Sequence, residues 1–315
     1  LNNYIGMPLT LLGLRDSHRA AVIEIGMNHA GEIDYLTRLA APTVALVNNA
    51  QREHLEYMAT VEAVARENGS VIESLGVQGV AVFPADDSFA PLWSELCGQR
   101  RRLTFSDAVE EGLGDVRGHG DWQDGAWSVT ARTPEGSLNF RLGIAGRHNV
   151  RNALAAASCA LAAGAPLDAI RAGLQAFEAV KGRSRAFSVF LAGRRVTVVD
   201  DTYNANPDSV RAAIEVLAEL PAPRLLVLGD MGEVGDQGPS FHAEMGALAR
   251  DRGLEQVFTL GNQSVHAARQ CAGARHFEDM PAVLAAVRGA APGVSSILVK
   301  GSRFMKMERV VEAII

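Results

Sequence analysis

Short apolar runs alternate with helix-length amphipathic stretches along this chain, and that alternation constrains its fold more than any other feature. In the second half the runs fall at 196–200, 225–229, 257–261 and 297–301. Helical spacing occupies the intervals at 209–220, 241–252, 264–271 and 282–290, with a last helix expected at 307–314. Strands joined through helices need crossover connections, and these produce a mostly parallel sheet. The first half reads the same way, with strands expected at 21–26, 43–49 and 79–84 and helices at 32–40, 60–75, 149–163 and 167–177. Between about 115 and 143 the pattern changes. Runs at 127–132 and 138–142 alternate apolar with polar residues and flank a Pro-Glu-Gly turn, which predicts a hairpin attached to the sheet. A break near 180–184 suggests two α/β domains, 1–181 and 182–315.

Composition excludes several classes. The 315 residues are 48% hydrophobic, enough for two cores, and the net charge of −6 gives no reason to expect nucleic acid. No apolar run reaches the roughly 20 residues of a membrane span. Cys97, Cys159 and Cys271 are too far apart for a zinc motif and fit reduced thiols in a cytoplasmic protein.

The polar residues that close the apolar runs are the candidates for chemistry, because ligands of open α/β sheets sit outside the carboxyl ends of the strands. Glu24 lies inside the apolar run at 21–26, where a carboxylate is costly unless it meets a cation or a donor. It reads equally as a metal ligand or as a partner of a helix end or an arginine. His54 follows the run at 43–49, and a loop histidine serves as a ligand or as surface. Gly146, Arg147, His148 and Asn149 open a helix that also carries Asn152. Backbone N–H groups there favour an anion, while Asn149 also suits ordinary capping. In the second half, DDTYNANPD at 200–208 offers more polar groups than one helix cap requires. Asp208 or Ser209 is the expected cap, which leaves Asp200, Asp201, Tyr203, Asn204 and Asn206 for a ligand. LGDMGEVG at 228–235 and VKGSR at 299–303 complete three polar strand ends on one sheet.

Taken together, LNNYIGMPLTLL at 1–12, VIEIGMNHAGEI at 22–33, GRHNVRN at 146–152, DDTYNANP at 200–207, LGDMGE at 228–233 and VKGSR at 299–303 resemble the Mur ligase family. Within that family they are most similar to the branch that joins D-alanyl-D-alanine to UDP-N-acetylmuramoyl-tripeptide. The resemblance implies an α/β fold: a central, mostly parallel ATPase-type sheet lacking its first strand and P-loop, plus a C-terminal Rossmann-like domain. It implies ATP and Mg²⁺ as cofactors and an acyl-phosphate route to the amide. By the same resemblance Glu24 and His54 sit at the metal and γ-phosphate. His148, Asn149 and Asn152 lie toward the adenine, Arg183 reaches the phosphates, and Asp201 and Asn204 reach the ribose. Asn2, Asn3, Lys300, Ser302 and Arg303 lie toward the peptide substrates. A cytoplasmic monomer is expected, with no nucleic-acid partner and no membrane insertion.

Two departures accompany the resemblance. A phosphate-cradling loop needs Gly-x-x-x-x-Gly-Lys-[Ser/Thr], and none of the three lysines, Lys181, Lys300 and Lys306, fits it. The family's P-loop would then precede Leu1, and the chain alone is expected to be inactive. The helix after His54 carries no lysine for the carbamate that relatives use. Asn68 stands at the expected place, and Glu67 or water is the substitute. A sister ligase for a single amino acid or for folate, and a non-catalytic binding protein that lost its P-loop, remain alternative readings.

Overall fold

The computed structural model describes residues 2–52, 55–108, 112–123 and 126–315. In chain order the first elements are α1 (Gly6–Leu12), α2 (Glu32–Ala40), β1 (Val44–Leu46), α3 (Leu55–Met58), α4 (Val61–Glu73), β2 (Val80–Pro84), α5 (Ala90–Cys97) and β3 (Arg101–Ser106). They are followed by β4 (Val116–Gln123), β5 (Ala126–Thr133), β6 (Gly136–Leu142), α6 (Arg147–Ala162) and α7 (Leu167–Gln175). Then come β7 (Arg185–Leu191), β8 (Arg194–Asp201), α8 (Pro207–Glu219), β9 (Arg224–Gly229), α9 (Gly238–Asp251) and β10 (Gln256–Leu260). The chain closes with α10 (Val265–Ala268), β11 (Arg275–Phe277), α11 (Met280–Ala290), β12 (Ser296–Lys300) and α12 (Glu308–Glu312), and three short 3₁₀ turns lie among these elements.

The chain divides into two compact units. One comprises Leu1–Asp121, Ser128–Phe140 and Val150–Gln175; the other comprises Trp122–Trp127, Arg141–Asn149 and Ala176–Ile315. The first sheet runs in the order β1-β2-β3-β4-β5-β6, with parallel pairing from β1 through β4. The two-residue turn Pro134-Glu135 links neighbouring β5 and β6 as the expected hairpin. The core of this unit gathers Ala65, Ile72, Phe83 and the fully buried Trp93, whose indole Nε1 donates to the Ala65 carbonyl at 2.9 Å. That bond lets a large aromatic fill the space between α4 and α5 without stranding its polar atom.

The expected strand at 21–26 is not formed. The stretch takes no regular structure, Val22 is 99% exposed, and no strand among the described residues lies alongside it. Among the described residues Asn2 ties it down, its carbonyl accepting from the Gly26 N–H at 2.9 Å and its side-chain amide donating to Glu24. An apolar run with strand propensity becomes a strand only where a neighbour supplies a hydrogen-bond ladder. Its end is nonetheless anchored, because Met27 and Ile33 are buried with Met58 and Val64, and Ile25 packs against them.

The second sheet runs β11-β10-β9-β12-β8-β7 and is parallel except for the β7/β8 hairpin. Alternate residues of β8, β9 and β12 (Val196, Val198, Leu225, Val227, Ile297 and Val299) form a closed face against α11 and α12. The connection from β9 steps outward through β10 and β11. The chain then returns to place β12 between β9 and β8. That reversal marks the place where doubly wound sheets leave a crevice at their carboxyl ends. Two expected helices are shorter than their periodicity suggested, 264–271 reducing to α10 and 307–314 to α12.

Candidate functional site

In the second unit, the register puts Lys300 at the end of β12 directly opposite Asp201 at the end of β8. The Lys300 ammonium is 2.6 Å from an Asp201 carboxylate oxygen and donates to the Asn204 carbonyl at 3.0 Å. The other Asp201 oxygen accepts from the Ser184 N–H at 2.9 Å. Asp200, almost fully buried, takes the Gly182 N–H at 3.0 Å and the Thr202 hydroxyl at 2.6 Å. These paired carboxylates therefore lock residues 182–184 onto the strand end, and Gly182 meets that constraint with a φ of 81°. Arg183, exposed in this locked segment, lays its guanidinium carbon 4.1 Å from the centre of the half-exposed Tyr203 ring. Stacking holds the fork in place and leaves its N–H groups for an anion.

Three sequence expectations change here. The cap of α8 is Asn206, whose side chain accepts from the Ser209 N–H at 2.8 Å while Ser209 answers with its hydroxyl. Asp208 is not the cap, and Asn206 is committed to the helix. Ser302 is buried, accepting from the Gly232 N–H at 2.7 Å and donating to the Ala205 carbonyl at 3.1 Å. It joins the loops after β8, β9 and β12. Lys300 is 3% exposed and spends its charge inside the protein, and Ser302, 2% exposed, borders the cleft described next. Arg303 does lie at the surface and pairs with Glu308 at 2.8 Å. With Tyr203, Asn204, Gly232, Glu233 and the exposed Phe304 it lines a cleft of about 530 Å³. A larger recess of about 700 Å³ lies along β11 and α11, away from these strand ends.

The loop after β9 is fixed from below. Asp230 accepts the N–H groups of Asn262, Gln263 and Ser264. His242 is fully buried on α9 and accepts the Met231 N–H at Nε2, 2.9 Å, while Nδ1 lies 2.7 Å from the Gly238 carbonyl. Burial pushes the His242 imidazole below the ordinary histidine range and keeps it neutral, as acceptance at Nε2 requires. The sequence signal for His242 was present: it shares an otherwise apolar helix face with Phe241, Met245 and Leu248.

His148 and Asn149 stand in the first turn of α6. Burial lowers the His148 pKa, Asp201 opposes that shift, and the Lys300 charge adds to it. Asn149 donates to the Ala145 carbonyl at 2.7 Å and lies 3.1 Å from His148 Nε2. Gly146, at φ 94°, turns the chain into this helix, and a Cβ there would meet the His148 ring.

In the first unit the expected residues meet in part. Glu24 is exposed, and its Oε1 accepts from Asn2 Nδ2 at 2.8 Å. Asn3 instead accepts the N–H groups of Ile5 and Gly6 and starts α1. Asn152 accepts from Asn48 at 3.0 Å, which joins the loop after β1 to α6. His54 lies outside the described residues. Glu67, expected near the metal, is buried and accepts the N–H groups of Gly31 and Ile33 at 2.9 Å each. It caps α2 through space and is not available as a ligand. Asn68 donates to the Asn49 carbonyl at 3.2 Å. No group of three metal-ligating side chains occurs among the described residues.

A half-buried ion cluster in this unit had no counterpart among the sequence expectations. Arg151 on α6 pairs with Asp86 at 2.5 Å and Asp107 at 2.8 Å. Its members are too far apart in sequence to announce themselves.

Comparison with known proteins agrees with this architecture. The Mur ligase middle domain matches residues 1–160, and the Mur ligase, glutamate ligase domain matches 187–303. The UDP-N-acetylmuramoyl-tripeptide–D-alanyl-D-alanine ligase of Escherichia coli is 40% identical across 100% of this chain and 69% of that protein. The ligase of the same name from Bacillus subtilis is 32% identical across 100% of the chain and 68% of that protein. A crystal structure of MurF from Acinetobacter baumannii superposes with a TM-score of 0.89 at 34% identity, over 99% of this chain and 68% of that one. The chain belongs to the Mur ligase family, in the branch of the UDP-N-acetylmuramoyl-tripeptide–D-alanyl-D-alanine ligases.

Proposed function

We propose that this chain serves the ATP-dependent joining of D-alanyl-D-alanine to UDP-N-acetylmuramoyl-tripeptide, in the cytoplasm and as a monomer, for peptidoglycan synthesis. The observation that carries the reading is the full-chain identity of 40% to a ligase of that name. No helix among the described residues is long and apolar enough to cross a membrane.

The chemistry asks a carboxylate to accept an amine, and phosphorylation of that carboxylate supplies the leaving group. Arg183, stacked on Tyr203, presents a fixed guanidinium to the phosphates. Asp201 and the Asn204 segment, tied together through Lys300, form the edge that receives the ribose. His148, Asn149 and Asn152 line the start of α6 on the adenine side. The exposed Glu24, with one oxygen oriented by Asn2, fits an Mg²⁺ ion of the type held by one or two carboxylates plus phosphates and water. That ion would offset the charge gathered by the phosphates and the acceptor carboxylate. Around the cleft, Arg303 and Asn204 suit a dipeptide carboxylate and backbone, while Tyr203 and Phe304 cover its methyl groups.

The test is Glu24→Gln in the enzyme expressed from its whole reading frame. Turnover falls about 100-fold or more, the scale of losing a preorganised electrostatic group, while the melting temperature stays unchanged. Near-normal turnover contradicts the assignment.

A further inference from the structure

Amide formation requires more than a leaving group, because the attacking amine must lose a proton as the C–N bond forms. Of the histidines assigned above, His148 is half-buried with its Nε2 beside Asn149, and His54 lies outside the described residues. The segment that begins at Glu24 holds an unassigned histidine five residues on. His29 Nδ1 is 3.2 Å from Glu32 Oε1, and the imidazole ring lies 4.9 Å from the Tyr57 ring. Glu32 is itself fixed, since its Oε2 accepts the N–H groups of Asn28 at 2.6 Å and His29 at 3.2 Å. Burial raises the Glu32 pKa, but these backbone bonds, His29 and the Tyr4 hydroxyl outweigh it and keep the carboxylate anionic. An anionic acceptor at Nδ1 selects the tautomer with its proton there and its lone pair at Nε2. The His29 side chain is 64% exposed, and Nε2 has no partner among the described residues. The titratable groups that face it are Glu32 on α2 and Tyr57 on α3, with Tyr4 behind Glu32.

A carboxylate that orients an imidazole whose other nitrogen is free is the arrangement of a general base. We propose that His29 is a catalytic residue of the amide-forming step and takes the proton from the attacking amine at Nε2, with Glu32 as its positioning residue. The inference rests on the ligase reading above. The amine lone pair forms the C–N bond at the carbonyl carbon of the acyl phosphate. The C–O bond to phosphate breaks, and phosphate leaves with that electron pair. One N–H proton moves to His29 Nε2 and passes to solvent, while Nδ1–H stays on Glu32. The phosphorylation half-reaction moves no proton through His29, so the two half-reactions respond differently to its removal.

The experiment uses His29→Ala in the enzyme expressed from its whole reading frame, with two readouts. Hydroxylamine traps the acyl phosphate without needing a base, and product formation with D-alanyl-D-alanine reports the second step. The expected result is unchanged trapping with amide formation slowed about 100-fold at saturating dipeptide, within the usual range for general-base catalysis. Added imidazole restores a large part of that rate. His29→Gln, which keeps the bulk against Tyr57 but not the base, behaves like His29→Ala and is not distinguished by stability. The proposal is overturned if amide formation is unaffected, if trapping and amide formation fall together, or if imidazole restores nothing. A wild-type enzyme that yields no trapped acyl phosphate overturns the ligase reading itself, which separates the two failures.

Discussion

Lys300 and Asp201 end neighbouring strands, lie 2.6 Å apart, and are separated by 99 residues in the chain. Their side chains are 4% and 15% exposed, so the pair is one of the few charged contacts here that water does not screen. Removing one member leaves an unpaired buried charge. Lys300→Met is expected to destabilise the second unit by about 3–5 kcal/mol. The double variant Lys300→Met with Asp201→Asn recovers part of that loss. Urea unfolding followed by fluorescence and circular dichroism checks both.

Asp86 and Arg151 give the first unit an acid-sensitive contact. Burial raises the Asp86 pKa, but the hydrogen bond and charge of Arg151 prevail and hold the carboxyl below its usual range. The stabilisation is complete above the ordinary aspartate value near 3.9 and is lost as pH falls through the lower folded-state value. Asp86→Asn is expected to lower stability at pH 7 and to flatten the fall in stability between about pH 4 and 2. Urea midpoints at a series of pH values supply the comparison.

His148 and His242 act in the same direction at milder pH. Burial depresses both pKa values, so each ring is neutral in the folded protein and binds a proton more readily when unfolded. Stability is therefore full above the ordinary histidine value near 6.5 and declines as pH drops below it, by up to about 1.4 kcal/mol per pH unit for each ring. His242→Gln should remove its part of that slope. It should also loosen the 231–235 loop, because Met231 loses its acceptor. Melting temperatures from pH 8 to 5.5 measure the slope, and amide exchange at Met231 measures the loop.

Two glycines separate close packing from conformational freedom. A Cβ on Gly246 would lie 2.7 Å from backbone atoms of Ala267, so α9 and α10 could not keep their approach. Gly246→Ala is expected to cost about 1–3 kcal/mol. Gly289, within α11, has open space at the same test. Gly289→Ala should stabilise by about 0.4–1 kcal/mol, mostly by restricting the unfolded chain. Differential scanning calorimetry on both variants decides the contrast.

Much of the second sheet was legible because four of its strands, β8, β9, β10 and β12, hold apolar runs beside helical patterns; the alternating, antiparallel β7 and the three-residue β11 were not anticipated. The ends of those four, such as Arg224–Gly229, fall within two residues of expectation. The polar residues at those ends were legible as important but not as to purpose. Asn206 caps a helix through Ser209 three residues on, whereas Ser302 ties three loops and Lys300 neutralises Asp201 through partners that spacing cannot reveal. The stretch at 21–26 failed in the opposite way. Its composition suits a strand, yet no neighbouring strand pairs with it among the described residues. Glu67 was placed correctly on its helix, but only the fold shows that its oxygens face the Gly31 and Ile33 N–H groups.

The central claim is the identity of the attacking amine. The direct measurement is Mg-ATP-dependent amide formation from UDP-N-acetylmuramoyl-tripeptide, assayed in parallel with D-alanyl-D-alanine, glutamate and diaminopimelate and read by mass spectrometry of the product. The account predicts a product with the dipeptide alone and one ADP released per amide. A product with a single amino acid but none with the dipeptide would contradict it.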